Sequence, residues 1–212
     1  MIKKGIILAG GSGTRMSPLT KAVNKQLLPL YDKPLFFYPL SVLMLAKIKD
    51  ILIIVNKGHI NQFKKVLPDG DKLGVKIKYI EQDKPRGLPD AFILGEKFIN
   101  NNSVALILGD NFFFSQNLTK RLIECTKLQE GARIFLHPVK NPSSFGIATI
   151  NNKNKVIKII EKPKKTKSNL AITGLYFFDN KASKFSKLLK PSRRKELEIV
   201  DLLNKYRKKK TA

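Results

Sequence analysis

The sequence predicts an α/β fold, a three-layer sandwich in which helices cover both faces of a mixed, mostly parallel sheet. Three short runs, residues 5–9, 51–55 and 104–108, are apolar at successive positions, so each strand is expected to be buried on both faces. Segments of helical length at 35–48, 59–66 and 89–99 separate these strands, giving the β-α-β alternation of a parallel sheet. Neither an internal repeat nor a dividing linker is visible, so residues 1–212 are expected to form one domain.

Taken in order, residues 5–9 read as a buried strand ending in glycine, and 10–34 as a long loop punctuated by Gly, Ser and Pro. Residues 35–48 read as a buried helix, 51–55 as the second strand and 59–66 as a short amphipathic helix. A strand at 75–80 alternates, a helix follows at 89–99, and the third apolar strand closes at Gly109-Asp110. Beyond Asn117 a helix is expected to about residue 129, then strands at 132–138, 145–150, 156–160 and 171–178. Helices at 181–189 and 197–208 complete the pattern.

Composition narrows the function classes. A single cysteine, Cys125, excludes an internal disulfide and any multi-cysteine metal site, and suits a reducing compartment. The apolar run 6–9 is too short for a signal segment. The stretch 35–46 carries Pro39 and Ser41 and falls short of the ~20 residues that span a bilayer. A cytoplasmic protein without membrane partners is therefore expected. The net charge of +25 fits either a site for anionic ligands or lysines on solvated faces, and its scatter along the chain argues against a nucleic-acid footprint.

Gly10-Gly11-Ser12-Gly13-Thr14-Arg15 follows the first strand, at the edge where open α/β sheets bind ligands. Its glycines let main-chain amides approach a phosphate, and Arg15 adds a planar donor fork. A tight turn with a solvated arginine has the same local signature. The loop is not a Walker A motif, because no Gly-Lys-Ser/Thr follows, and it lacks the third glycine of a dinucleotide fingerprint. Gln82, at a strand end, has an amide that can both donate to and accept from a base edge, or it is a surface polar residue. Asp110 ends a buried strand, where it suits a hard cation such as Mg²⁺ or a simple turn.

The run Gly10–Arg15, then Pro18-Leu19-Thr20, then Lys25-Gln26-Leu27-Leu28-Pro29 resembles the opening of the sugar nucleotidyltransferases. Tyr31-Asp32-Lys33-Pro34 and the segment from Tyr38 to Ala46 are similar to the thymidylyltransferase branch, and the likeness runs from Lys4 to about Tyr206. The resemblance implies a Rossmann-like fold of the nucleotidyltransferase type. It also implies transfer of a thymidylyl group from dTTP to glucose 1-phosphate, within dTDP-sugar (dTDP-rhamnose) and polysaccharide biosynthesis, in a possible homo-oligomer. By the same resemblance Gly10, Gly11, Ser12, Gly13 and Thr14 wrap the triphosphate, with Arg15 and Lys25 on its phosphates. Gln26 lies near the base, Gln82 reads it, and the Gly87 backbone contacts the nucleoside. Asp110 in Leu-Gly-Asp-Asn becomes the Mg²⁺ ligand. Asn111, the Gly146 backbone, Glu161, Lys162, Tyr176 and Arg194 become the sugar-phosphate side.

Two positions depart from the family. Pro89 stands where alanine is common, at a first helical turn that tolerates it, and Arg86 replaces what is often an acidic or small residue. The family pattern continues further, through a Leu-Asp-Thr-Gly segment whose aspartate is a second metal ligand. The chain is therefore expected to be C-terminally short, and the alternative expectation is a relative that binds nucleotide or sugar nucleotide without turnover.

Overall fold

The computed structural model describes residues 1–11 and 13–209, apart from the side chains of Arg15 and Lys209. Strand β1 (Lys4–Ala9) leads into the glycine turn. Residues 10–34, expected as open loop, instead contain 3₁₀ turns at Thr14–Met16 and Lys25–Leu27, the helix α1 (Leu19–Ala22), and a hairpin of β2 (Pro29–Leu30) and β3 (Lys33–Pro34). Main-chain bonds from Leu35 N–H to Leu28 O and from Phe36 N–H to Gln26 O fold this segment back on itself. No apolar periodicity announces such short turns, so they are hidden at the level of sequence.

The rest follows the expected order: α2 (Phe37–Leu45), β4 (Asp50–Asn56), α3 (Ile60–Val66) and β5 (Lys76–Gln82). The single helix expected at 89–99 is two, α4 (Asp90–Leu94) and α5 (Glu96–Ile99), meeting at Gly95. A Cβ at Gly95 would lie 3.1 Å from both Ile6 and Leu52, so the glycine lets the helix pair press on the sheet. Then come β6 (Val104–Leu108), α6 (Leu118–Thr126), β7 (Ala132–Pro138), β8 (Gly146–Ile150), β9 (Val156–Glu161), β10 (Leu170–Phe178), α7 (Ala182–Lys187) and α8 (Ile199–Lys209).

These strands form one mixed sheet in the order β5-β4-β1-β6-β10-β8-β9, with β7 paired to β10. Pairing is parallel from β5 to β6 and antiparallel from β10 onward. β10 is where the sheet changes partner: Leu175–Phe178 run beside β6, Leu170 and Ala171 beside β8, and β7 takes the opposite rim.

The three layers follow from strand alternation. Ile7, Ala9, Ile53, Val55, Ile107 and Phe177 face one cluster, covered by Leu40 and Leu43 of α2, Phe63 of α3 and Leu122 of α6. Ile6, Leu52, Ile54, Leu106 and Phe178 face the other, covered by Phe92 of α4, Phe185 of α7 and Leu202, Leu203 and Tyr206 of α8. Each fully buried Ile, Leu or Phe stabilises by about 1.5–3 kcal/mol, so both helical layers are held mainly by apolar burial. Asp179, buried after β10, fixes α8: its carboxylate accepts from Gly131 N–H (2.7 Å), Lys181 N–H (2.9 Å) and the Tyr206 hydroxyl (2.8 Å). Among the described residues no helix is long and apolar enough to cross a membrane.

Candidate functional site

Parallel register brings the strand ends together. Ala9 pairs with Val55, Asn56 with Gln82 and Leu8 with Leu108, so Gly10, Asn56, Gln82 and Gly109-Asp110 share one edge of the sheet. Gly109 N–H donates to Leu8 O at 2.9 Å and carries the β1–β6 ladder to that edge.

The glycine turn is built from the main chain outward. Gly11 has φ 107°, and both of its peptide groups are engaged by one side chain. Its N–H donates to Asn56 Oδ1 (3.0 Å), and Asn56 Nδ2 donates to its carbonyl (3.0 Å). The Gly11 amide, expected to face phosphate, is therefore already partnered. Gly13, at φ 59°, precedes the turn at Thr14–Met16, and its carbonyl accepts from the Thr20 hydroxyl at 3.0 Å. Ser12 and the Arg15 side chain, both expected on the nucleotide, lie outside the described residues.

Two buried glutamines meet at Gly10. A Cβ there would lie 1.7 Å from Gln82 Nε2, so the amide of Gln82 rests on the glycine. Gln26 is placed by Asn24, which caps the second 3₁₀ turn by accepting from Gln26 N–H at 2.9 Å, while Gln26 Nε2 donates to Gly10 O at 3.3 Å. Gln26 Oε1 is buried without a partner among the described residues. An unpaired buried acceptor costs about 1–3 kcal/mol, and at a ligand edge it is an opening for a donor.

Asp110 lies at the end of β6 with Lys25 Nζ 2.7 Å from its Oδ2 and Asn111 Nδ2 donating to Oδ1 at 3.0 Å. Partial burial pushes its carboxyl up, but the Lys25 ammonium and the Asn111 amide outweigh it and hold the group below the usual carboxylate range. Lysine thus stands where a cation would be held. Asn111 also accepts from Gly174 N–H at 3.2 Å, in the irregular stretch of β10 between Ile172 and Tyr176. It joins the two halves of the sheet.

On the antiparallel side, Gly146 pairs with Glu161, and a Cβ at Gly146 would lie 3.2 Å from the Glu161 carboxylate. Arg194 reaches Glu161 (3.1 Å) and Glu198 (2.7 Å), and Glu198 accepts from the Ser192 hydroxyl at 2.6 Å. Burial and the neighbouring Glu198 charge push the Glu161 carboxyl up, against the pull of Arg194 and Lys162. Lys162 has φ 41° and donates its N–H to Phe145 O at 3.0 Å. Tyr176, expected among the sugar contacts, is buried in the core and stacked on Phe178 at 6.2 Å.

The two sides touch at Gly87. Leu197 N–H donates to Arg86 O at 2.7 Å, and a Cβ on Gly87, at φ 99°, would lie 2.1 Å from Leu197 O. Close approach of Leu197 therefore requires glycine here, independently of the nucleoside contact expected of its backbone.

Asn56, Asn24 and Glu198 are site-building residues that sequence reasoning did not assign. Asn56 is an ordinary strand-end polar residue until Gly11, 45 positions away, is folded against it. Among the described residues no cluster of three or more His, Cys, Asp or Glu side chains could enclose a metal. Two concavities, about 770 and 1250 Å³, lie beside Phe114 and Lys120 and between Phe135 and Ile157, away from the glycine turn. The convergence of polar groups makes the strand-end edge the candidate site.

The strand-end edge thus gathers a glycine turn, two strand-end amides and a carboxylate beside a lysine in an α/β protein. Residues 4–212 match the model of the nucleotidyl transferase family, and the chain belongs to that family. It is 53% identical to a glucose-1-phosphate thymidylyltransferase of Neisseria meningitidis over 203 residues, 96% of this chain and 70% of that protein. The corresponding protein of Xanthomonas campestris is 50% identical over 204 residues, 96% of this chain and 69% of that protein. A crystal structure of a Bacillus anthracis protein provisionally described as a glucose-1-phosphate thymidylyltransferase, solved with sucrose, superposes with a TM-score of 0.88. That pair is 43% identical, covering 97% of this chain and 83% of the other. A UDP-glucose pyrophosphorylase solved with UDP-glucose gives 0.83 at 25% identity, covering 100% of this chain and 88% of that one.

Proposed function

We propose that this chain joins dTTP to glucose 1-phosphate, forming dTDP-glucose and pyrophosphate. The observation that carries it is the Lys25–Asp110 pair at the same strand-end edge as the glycine turn. It stands in a chain about half identical to thymidylyltransferases over nearly its whole length.

In this reaction an oxygen of the sugar phosphate attacks the α-phosphorus of dTTP, the α–β P–O bond breaks, and pyrophosphate leaves with those electrons. The nucleophile is already anionic, so no general base is needed, and catalysis is positioning with charge neutralisation. Gly10, Gly13, Thr14 and Arg15 surround the triphosphate. Gln82 and the unpaired Gln26 oxygen meet the base. Lys25 turns from Asp110 to the phosphates when substrate arrives. Gly146 and Glu161 hold glucose hydroxyls, and Lys162 and Arg194 the sugar phosphate, with Arg194 leaving its two carboxylate partners. Both halves of the sheet then work as one cytoplasmic catalytic domain.

One carboxylate beside an ammonium fits Mg²⁺ that arrives on the triphosphate, because that ion keeps several waters and binds one or two carboxylates plus phosphates. Asp110 would hold it, and when bound it neutralises charge on the phosphate oxygens.

The test is pyrophosphate release from dTTP, glucose 1-phosphate and Mg²⁺, expected with the wild-type chain and abolished in Asp110→Asn. Saturable dTTP binding with no release would instead support a nucleotide-binding relative without turnover. Absence of both sinks the proposal. The lysine excess serves the solvent surface in this account, so duplex DNA should not displace dTTP.

A further inference from the structure

Asn56 closes β4, and its amide spans the Gly11 peptide, with N–H donating to Oδ1 and Nδ2 donating to the carbonyl, both at 3.0 Å. A main-chain N–H can only donate and a carbonyl can only accept, so the Asn56 amide has a single orientation. Its Oδ1 therefore faces Gln82 and accepts from Gln82 Nε2 at 3.1 Å. That contact in turn allows Gln82 one orientation, nitrogen toward Asn56 and oxygen away. Gly10 seals the arrangement, since Gln82 Nε2 and Asn56 Oδ1 lie 1.7 and 3.1 Å from where its Cβ would be. Gln82 is 5% exposed, so water does not freely replace these bonds.

Amide orientation matters because pyrimidines differ in polarity. Thymine and uracil present an N3–H donor between two carbonyl acceptors, whereas cytosine presents a bare N3 acceptor beside an amino donor. A glutamine can serve either, but with its oxygen and nitrogen exchanged. We infer that Asn56, resting on the thymidylyl transfer proposed above, is a positioning residue that relays the polarity of the Gly11 peptide to Gln82 and so selects a base with an N3–H over cytosine.

The experiment is titration calorimetry of the full chain with Mg²⁺-dTTP and Mg²⁺-dCTP, which needs no turnover. Wild type should prefer dTTP. Asn56→Ala frees Gln82 to turn over, and the preference should shrink by roughly tenfold, within the discrimination expected of one bidentate base contact. Asn56→Asp still offers Gln82 an acceptor, so the preference should persist while both nucleotides weaken together. A purely structural role would lower both affinities equally in Asn56→Ala, and an unchanged preference there overturns the inference. Should Asn56→Ala fail to fold, loss of preference in Asn56→Asp overturns it. If wild type binds no triphosphate, the transferase proposal itself falls, an outcome distinct from dTTP-selective wild type with an equally selective Asn56→Ala.

Discussion

Along β5-β4-β1-β6, site residues are held by the main chain: Asn56 on Gly11, Gln26 on Gly10, Gln82 against a glycine Cα. Across β8, β9 and residues 192–198 they are held by charges, with Arg194 shared between Glu161 and Glu198. The Arg194 side chain is 44% exposed, and pairs of that kind contribute about 0–1 kcal/mol, so they exchange readily for a ligand phosphate. On the proposed reading, the nucleotide side is thus set before substrate arrives, apart from Lys25 on Asp110, while the sugar side is loaded with partners a substrate can displace. The contrast is one of preorganisation against exchange.

The largest expected effect is at the seam between the sides. Gly87→Ala places a methyl into Leu197 and forces a left-handed residue, so urea melts should show a loss of about 3 kcal/mol. A loss under about 1 kcal/mol would mean the sides are not packed against each other there. Next, Asp110→Asn should lower the rate of pyrophosphate release at least about a hundredfold, while stability changes by no more than about 1 kcal/mol. A comparable fall in stability would make the Lys25 pair structural.

Arg194→Ala should raise KM for glucose 1-phosphate about tenfold and leave dTTP affinity unaltered, as expected for an exchangeable contact on one substrate. If dTTP binding fell in step, the two sides would not be separable. The smallest effect concerns Tyr79 on β5, whose hydroxyl donates to Leu67 O. Burial, then the Asp69 charge, pushes its pKa from 10.0 up to about 12. Its contribution is complete below pH 10, where both folded and unfolded chains keep the proton, and is lost as pH rises toward 12. Measured against Tyr79→Phe by denaturant melts, wild type should lose its advantage only in that window.

What the sequence discloses follows the same divide. Three apolar strands, the helices between them and the glycine turn carry strong periodic or compositional marks, and all stand where expected. Asp110 is legible from its place after β6 only once the family likeness is added. Asn56 is not legible at all, because a hydrogen bond between residues 11 and 56 leaves no local pattern. The short turns within 10–34 and the division at Gly95 escape for a related reason: they are set by packing on the sheet rather than by any repeating apolar spacing.

Gly10 carries a lesson for anyone rebuilding base choice. Its backbone is not left-handed, unlike that of Gly11 or Gly87, so what forbids a side chain there is chiefly the amide of Gln82, with Asn56 Oδ1 a looser neighbour at 3.1 Å. The two positions are consequently epistatic. A library that shortens residue 82 frees residue 10 to become alanine, whereas either change explored one at a time would miss the viable pair.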